Sequence, residues 1–277
     1  MRSRDDGLGV PDEEPGRDGP AGRGDERHRE RAGGTPREQD RAGGPLDVAD
    51  VIADGVRGVP AAEIPRRLCA VAVELLPVTG ASVSLRGNGM PVRMGASDAA
   101  AARLAEIQAT LGDGPSLYAA EAGAPVLASD LTGGRDARRW PVFAQQAAEA
   151  GVRAVYSVPL GDDAVCVGTL DLYGDAPHEL SGRELHTARL VAGVMTLALM
   201  SLPLDEDDED AAEASWLNVV AAEQDEVYQA IGMIMAQLGV CADEALALLR
   251  AHAFAQGRTA LDVAHEVITH RMRFDRE

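Results

Sequence analysis

Residues 154–173 read AVYSVPLGDDAVCVGTLDLY. Two apolar runs, Ala154 to Leu160 and Val165 to Tyr173, flank the polar turn Gly161-Asp162-Asp163, which is the pattern of a β-hairpin. Working outward, Ala81 to Leu85 and Val92 to Met94 predict a second hairpin around Gly87-Asn88-Gly89, a turn suited to positive φ. Val126 to Ala128 adds a short strand. Helical patterning covers Val59 to Leu76, Asp98 to Leu111 and Pro141 to Ala150. Ser181 with Glu184 three residues on forms a capping box that opens a long helix to Met200. Strands in hairpins, with helices before, between and after them, predict an α+β fold: an antiparallel sheet flanked by helices.

The C-terminal region has a different texture. From Tyr228 to Phe274 three apolar helical patterns follow one another, broken at Leu238-Gly239-Val240 and Gln256-Gly257-Arg258, where glycine can close a helix. Leu246, Leu249 and Ala253 form the buried face of the second helix, and Leu261, Ala264, Ile268 and Met272 that of the third. In the first helix, Leu217, Val220, Gln224, Val227, Ile231, Ile234 and Leu238 alternate in spacings of three and four, a heptad seam. Such a seam suits a partner helix and a homodimer, with Tyr228, Gly232 and Met235 turned onto the two shorter helices. The same stripe can instead pack within the chain. Gly232 in a helix interior points to a close helix approach.

Composition sets the outer limits. The 277 residues carry a net charge of −19, and every one of the 26 basic residues is arginine. That charge disfavours nonspecific attachment to nucleic acid or an anionic membrane, and nothing predicts a DNA partner. Residues 1–45 combine glycine, proline and mixed charge with almost nothing apolar, which predicts a disordered tail. Residues 46–204 form the α+β unit, the acidic run at 205–212 a linker, and 213–277 the helical unit. Cys69, Cys166 and Cys241 are widely spaced in apolar contexts and fit reduced thiols. With no membrane span and no signal peptide in view, the expected compartment is the cytoplasm. The chain has no phosphate-loop lysine, no HExxH, no paired CxxC and no Gly-x-Ser-x-Gly, so neither catalytic residues, nor a metal site, nor a cofactor are expected.

Two family resemblances can be placed on these patterns. Gly112-Asp113-Gly114-Pro115, Pro125-Val126 leading to Asp130-Leu131, Arg139-Trp140-Pro141-x-Phe143, Ser157-Val158-Pro159-Leu160 and Gly168-Thr169-Leu170-Asp171-Leu172-Tyr173 resemble the GAF domain, a sensor fold. Ala230-x-Gly232-x-Ile234-Met235, Glu244-Ala245-Leu246 with Leu249-Arg250, and Arg258 with Leu261-x-Val263-Ala264 resemble the ANTAR domain, an RNA-binding module of bacterial antiterminators. Ile231 stands where that family usually carries lysine.

The resemblance implies a dimer that binds hairpin RNA of a leader transcript through Arg250 and Arg258, with Arg271 and Arg273 as further candidates at the chain's basic end. It further implies a small-molecule pocket in the sensor, for which Tyr118, Trp140, Phe143, Tyr156 and Ser157 are the candidates. Residues 211–277 hold ten acidic residues against five arginines. Two functions therefore stay open: a signal-responsive antitermination regulator, or a dimerisation and protein-interaction regulator that keeps the helical frame without the RNA contact.

Overall fold

The computed structural model describes residues 48–87, 90–161, 165–201 and 216–275, with side chains from residue 225 onward in the last segment. The disordered-tail and acidic-linker expectations, Asn88, Gly89, Asp162, Asp163 and the side chains of Leu217, Val220 and Gln224 fall outside that description.

The N-terminal unit is a five-stranded antiparallel sheet in the order β2-β1-β5-β4-β3. Its strands are β1 Gly80–Leu85, β2 Val92–Ala96, β3 Val126–Ala128, β4 Ala154–Gly161 and β5 Cys166–Gly174. Both expected hairpins are present. Helices α1 (Val48–Val56), α2 (Ile64–Leu75) and α7 (Gly182–Met200) pack together on one face. Helices α3 (Ala99–Leu111), α4 (Pro115–Ala122), α5 (Gly134–Arg139) and α6 (Pro141–Glu149) lie on the other side.

The helix expected from Val59 to Leu76 starts later. A single 3-10 turn at Ala61–Glu63 precedes α2, which has Pro65 in its first turn, where a missing N–H leaves no internal bond unmade. The capping box at Ser181 is formed as expected: its hydroxyl accepts from the Glu184 amide, and the Glu184 carboxylate accepts from the Ser181 amide at 2.7 Å. Asp98 caps α3 with its side chain alone, accepting from the Ala100 and Ala101 amides.

The two faces of the sheet differ chemically because neighbouring side chains on a strand point to opposite sides. Ala81, Val83, Tyr156, Val158, Leu160, Leu170 and Leu172 join Leu68, Val71, Val191 and Met195 in an apolar core against α2 and α7. The opposite face carries Ser82, Ser84, Ser157, Thr169, Asp171 and Tyr173, all buried.

The C-terminal unit comprises α8 (Trp216–Leu238), α9 (Ala242–Ala255) and α10 (Ala260–Ile268), with Gly239 and Gly257 at φ 70° and 64° in the breaks. Its core joins Val227, Ala230, Ile231 and Ile234 of α8 to Ala245, Leu249 and Ala253 of α9 and to Ala260, Val263, Ala264 and Val267 of α10. The division of α8 into two working stripes is therefore corrected. Val227, Ile231 and Ile234, placed by their spacing on a seam for a partner helix, are buried within this chain, and Leu238 is packed beside them. Of the face assigned to the shorter helices, Met235 is half-buried and packs against this core as expected, whereas Tyr228 is 39% exposed and Gly232 is exposed with no atom within 4 Å of an added Cβ. A three-helix unit has one interior, and it takes the widest apolar stripe available.

Candidate functional site

The hydroxyl-rich face of the sheet leads to the site. Asp171, in mid β5, is buried, and its Oδ1 accepts from Ser157 Oγ on β4 at 2.5 Å while Oδ2 accepts from Thr169 Oγ1 at 3.4 Å. Thr169 Oγ1 lies 2.7 Å from Ser116 Oγ, in the first turn of α4. The Ser116 amide donates to Gln108 Oε1 of α3 at 2.9 Å. A further pair, Ser82 Oγ and the Tyr173 hydroxyl, is closed at 2.8 Å. Burial pushes the Asp171 carboxyl up to about 6, because desolvation outweighs the hydroxyls that hydrogen-bond to it. The same burial raises the Cys69 thiol and the Tyr173 phenol well above their ordinary values. Such a thiol stays protonated and unreactive.

Above Ser84, Ser116 and Thr169 a cleft of about 240 Å³ opens between α4 and the β1–β2 connection. Arg86 and Glu121, both exposed, are among its lining residues. A donor-and-acceptor floor with one cation and one anion in the lining suits a small polar molecule. Among the described residues no group of His, Cys, Asp and Glu could hold a metal.

Of the five expected pocket residues, Ser157 alone joins this network. Tyr156, its neighbour on β4, faces the opposite core and donates from its hydroxyl to the His178 carbonyl at 2.6 Å. Trp140 and Phe143 are fully buried in a second apolar cluster with Val155. Tyr118 is 38% exposed and meets Trp140 edge to face at 5.6 Å, with the Arg139 guanidinium stacked over both rings. Asp171, Thr169, Ser116, Ser84 and Gln108 were missed as site residues. A signal was present: Thr169, Asp171 and Tyr173 alternate with Leu170 and Leu172, so one strand face is polar.

A second cavity of about 100 Å³ lies where the two units meet, between β2, α3, the Val227–Tyr228 turn of α8 and the start of α10. Ser84, Met90 and Pro91 line both cavities. Met90 also packs against the helical core.

The four arginines expected at RNA stand in different settings, although Arg258 and Arg271 both act on the Glu266 carboxylate. Arg250 lies against Gly112 at the end of α3, where an added Cβ would strike its guanidinium, and burial lowers its pKa. Arg258 forms a 2.8 Å ion pair with Glu266. Arg271 and Arg273 are exposed, and Arg273 lies 3.8 Å from Asp275. Ile231 is 7% exposed and part of the helical core, as are Ala230, Ala245, Leu249 and Ala264 of the expected motif; Met235 and Leu261 are half-buried, and Gly232 is exposed.

Comparison with family models matches a GAF domain over residues 60–200 and an ANTAR domain over residues 217–268. The chain belongs to the GAF-domain family. It carries the ANTAR domain as its C-terminal helical unit. Both are regulatory rather than catalytic domains.

Comparison with curated proteins gives no match. Among solved structures, the chain is similar to the GAF domain of a phosphoenolpyruvate-protein phosphotransferase from Coxiella burnetii, with 14% identity, 55% of this chain and 90% of that one covered, and a TM-score of 0.43. It is similar to the GAF domain of the Acinetobacter phosphoenolpyruvate-protein phosphotransferase, with 11% identity, 58% and 95% coverage and a TM-score of 0.43. Free methionine-R-sulfoxide reductase from Neisseria meningitidis matches with 14% identity, 55% and 86% coverage and a TM-score of 0.41. The GAF assignment rests on the family model. Among the described residues no single helix is long and apolar enough to cross a membrane.

Proposed function

We propose that this GAF and ANTAR protein is a signal-responsive, RNA-binding regulator of transcription antitermination. A small polar molecule in the cleft over Ser84, Ser116 and Thr169 is the signal, and hairpin RNA of a leader transcript is the output partner. The protein acts in the cytoplasm as a homodimer. The observation that carries this reading is the shared wall: Ser84, Met90 and Pro91 border both the polar cleft and the cavity between the GAF and ANTAR domains. A ligand that moves this wall has a direct mechanical route to the helices that read RNA, and it shifts the population between two arrangements of them.

The experiment is crosslinking of RNA to the protein in cells, followed by sequencing. Recovery of leader transcripts with terminator-competing hairpins is the expected result. An in vitro titration with those hairpins then compares wild type with Arg258→Ala, which should bind more weakly and with a shallower salt dependence.

A second reading has a specific observation behind it. Arg258 is paired with Glu266 and Arg250 lies on the GAF domain, which favours a protein-interaction regulator that has given up RNA. A transcript-free crosslinking result, together with a protein partner recovered on the same chain, would select that reading.

A further inference from the structure

The GAF and ANTAR domains touch through a small set of defined contacts. The Ala260 amide, at the first position of α10, donates to Thr110 Oγ1 at 3.2 Å, and both residues are buried. One residue beyond the end of α3, Gly112 adopts the left-handed conformation at φ 65°, and the Arg250 side chain of α9 covers it. Met90 adds to the contact by packing against the ANTAR core, and α8 lies against β2. The loop under Arg250 is short, and both of its ends are fixed. Gly112 N–H bonds to the Gln108 carbonyl, and four residues on, Ser116 is tied to Gln108 Oε1 and Thr169 Oγ1 at the floor of the polar cleft.

We propose that this contact is autoinhibitory: the GAF domain occupies the Arg250 and α10 surface of the ANTAR domain, so docking on the sensor and binding of structured RNA exclude one another. The inference rests on the RNA-binding reading given above. Its physical basis is access. A guanidinium serves RNA by reaching phosphate or stacking on a base, and one lying against the backbone of another domain reaches neither. The arrangement described is then the closed form. The Gly112–Ser116 loop is the element by which the cleft can loosen it, since the loop links Arg250 to the Thr169 and Asp171 hydrogen bonds.

Two substitutions open the contact from opposite sides. Ala260→Pro removes the N–H that Thr110 accepts. Proline is well suited to the first position of a helix. The preceding Thr259, at φ −80° and ψ 154°, already has the extended conformation that a following proline requires. The Thr259–Asp262 capping box uses neither side nor main chain of Ala260 and stays intact. Gly112→Ala places a methyl group where the Arg250 guanidinium now lies.

Each full-length variant is followed by amide hydrogen exchange, to score undocking at the end of α3 and the start of α10, and by fluorescence anisotropy with a pool of structured hairpin RNAs. The expected result is faster exchange at both sites and RNA binding tightened about tenfold or more, a gain that Arg250→Ala cancels when added to Ala260→Pro. Undocked variants that bind RNA no more tightly than a wild type that itself binds would overturn the autoinhibition and leave the RNA reading standing. Undocked variants that bind no RNA, with a wild type that binds none, remove the RNA reading and the inference with it. Exchange unchanged in both variants also overturns it, because a contact that survives loss of its central bond is not a switch.

Discussion

The Asp171 carboxyl offers a quantitative test of the polar sheet face. Its value is pushed from 3.8 to about 6, chiefly by desolvation, against the opposing pull of Ser157, Ser116 and Thr169. An acid whose folded value lies above its unfolded one binds its proton more tightly in the native state. Its favourable contribution is therefore complete below the unfolded value and is lost as pH rises through the folded one. A gap of about two units corresponds to about 3 kcal/mol of lost stability once pH is well above 6. About half of that is lost between about pH 5 and about pH 8.

Asp171→Asn keeps the shape and removes the ionisation. Its amide must find an acceptor among Ser157, Ser116 and Thr169, which rotate to suit, at a roughly pH-independent cost of about 1 kcal/mol. The stability difference, variant minus wild type, should accordingly climb by about 1 to 2 kcal/mol over that pH window. Urea titrations read by circular dichroism at several pH values give that difference directly. A flat or falling profile would refute the reasoning, since it would mean that Asp171 is ionised in the fold at no expense and is not desolvated.

Gly232→Ala should raise stability by about 1 kcal/mol, read as a higher urea midpoint, because the position is exposed in a helix interior and nothing lies within 4 Å of the new methyl. Gly168→Ala should do the reverse, by about 2 kcal/mol or more, since its Cβ would run into the Ser84 carbonyl and lie 3.0 Å from Leu85 Cα across the β1–β5 ladder; loss of soluble, cooperatively folding protein would be the extreme form of that result. Ser181→Ala should cost about 1 kcal/mol by breaking the capping box of α7, measurable as a lowered thermal midpoint.

The hairpins were legible because apolar runs bounded by Gly-Asp-Asp and Gly-Asn-Gly turns leave few alternatives to antiparallel pairing, and β4 and β5 start within a residue of the expected positions. Helices α1, α4 and α5 were not marked. They are short, at 9, 8 and 6 residues, and show too few turns for a period to emerge. The pocket candidates diverge for a different reason. Trp140, Phe143 and Tyr156 are large aromatics that the chain buries in its apolar clusters, whereas the candidate polar cleft is built largely from serine and threonine, residues that carry no signal until strand alternation is laid out. The seam on α8 shows the limit of periodicity itself. Spacing establishes that Val227, Ile231 and Ile234 share a face, but not whether that face is covered by another chain or by α9 and α10.

The wall of Ser84, Met90 and Pro91 shared by two cavities carries a thermodynamic obligation. If filling the polar cleft alters the affinity of the ANTAR helices for RNA by some factor, RNA alters the affinity of the cleft for its ligand by the same factor. The flow of information through the wall then has no preferred direction. An abundant transcript would tune how sensitively the protein perceives its signal, making the message part of the receptor's own calibration.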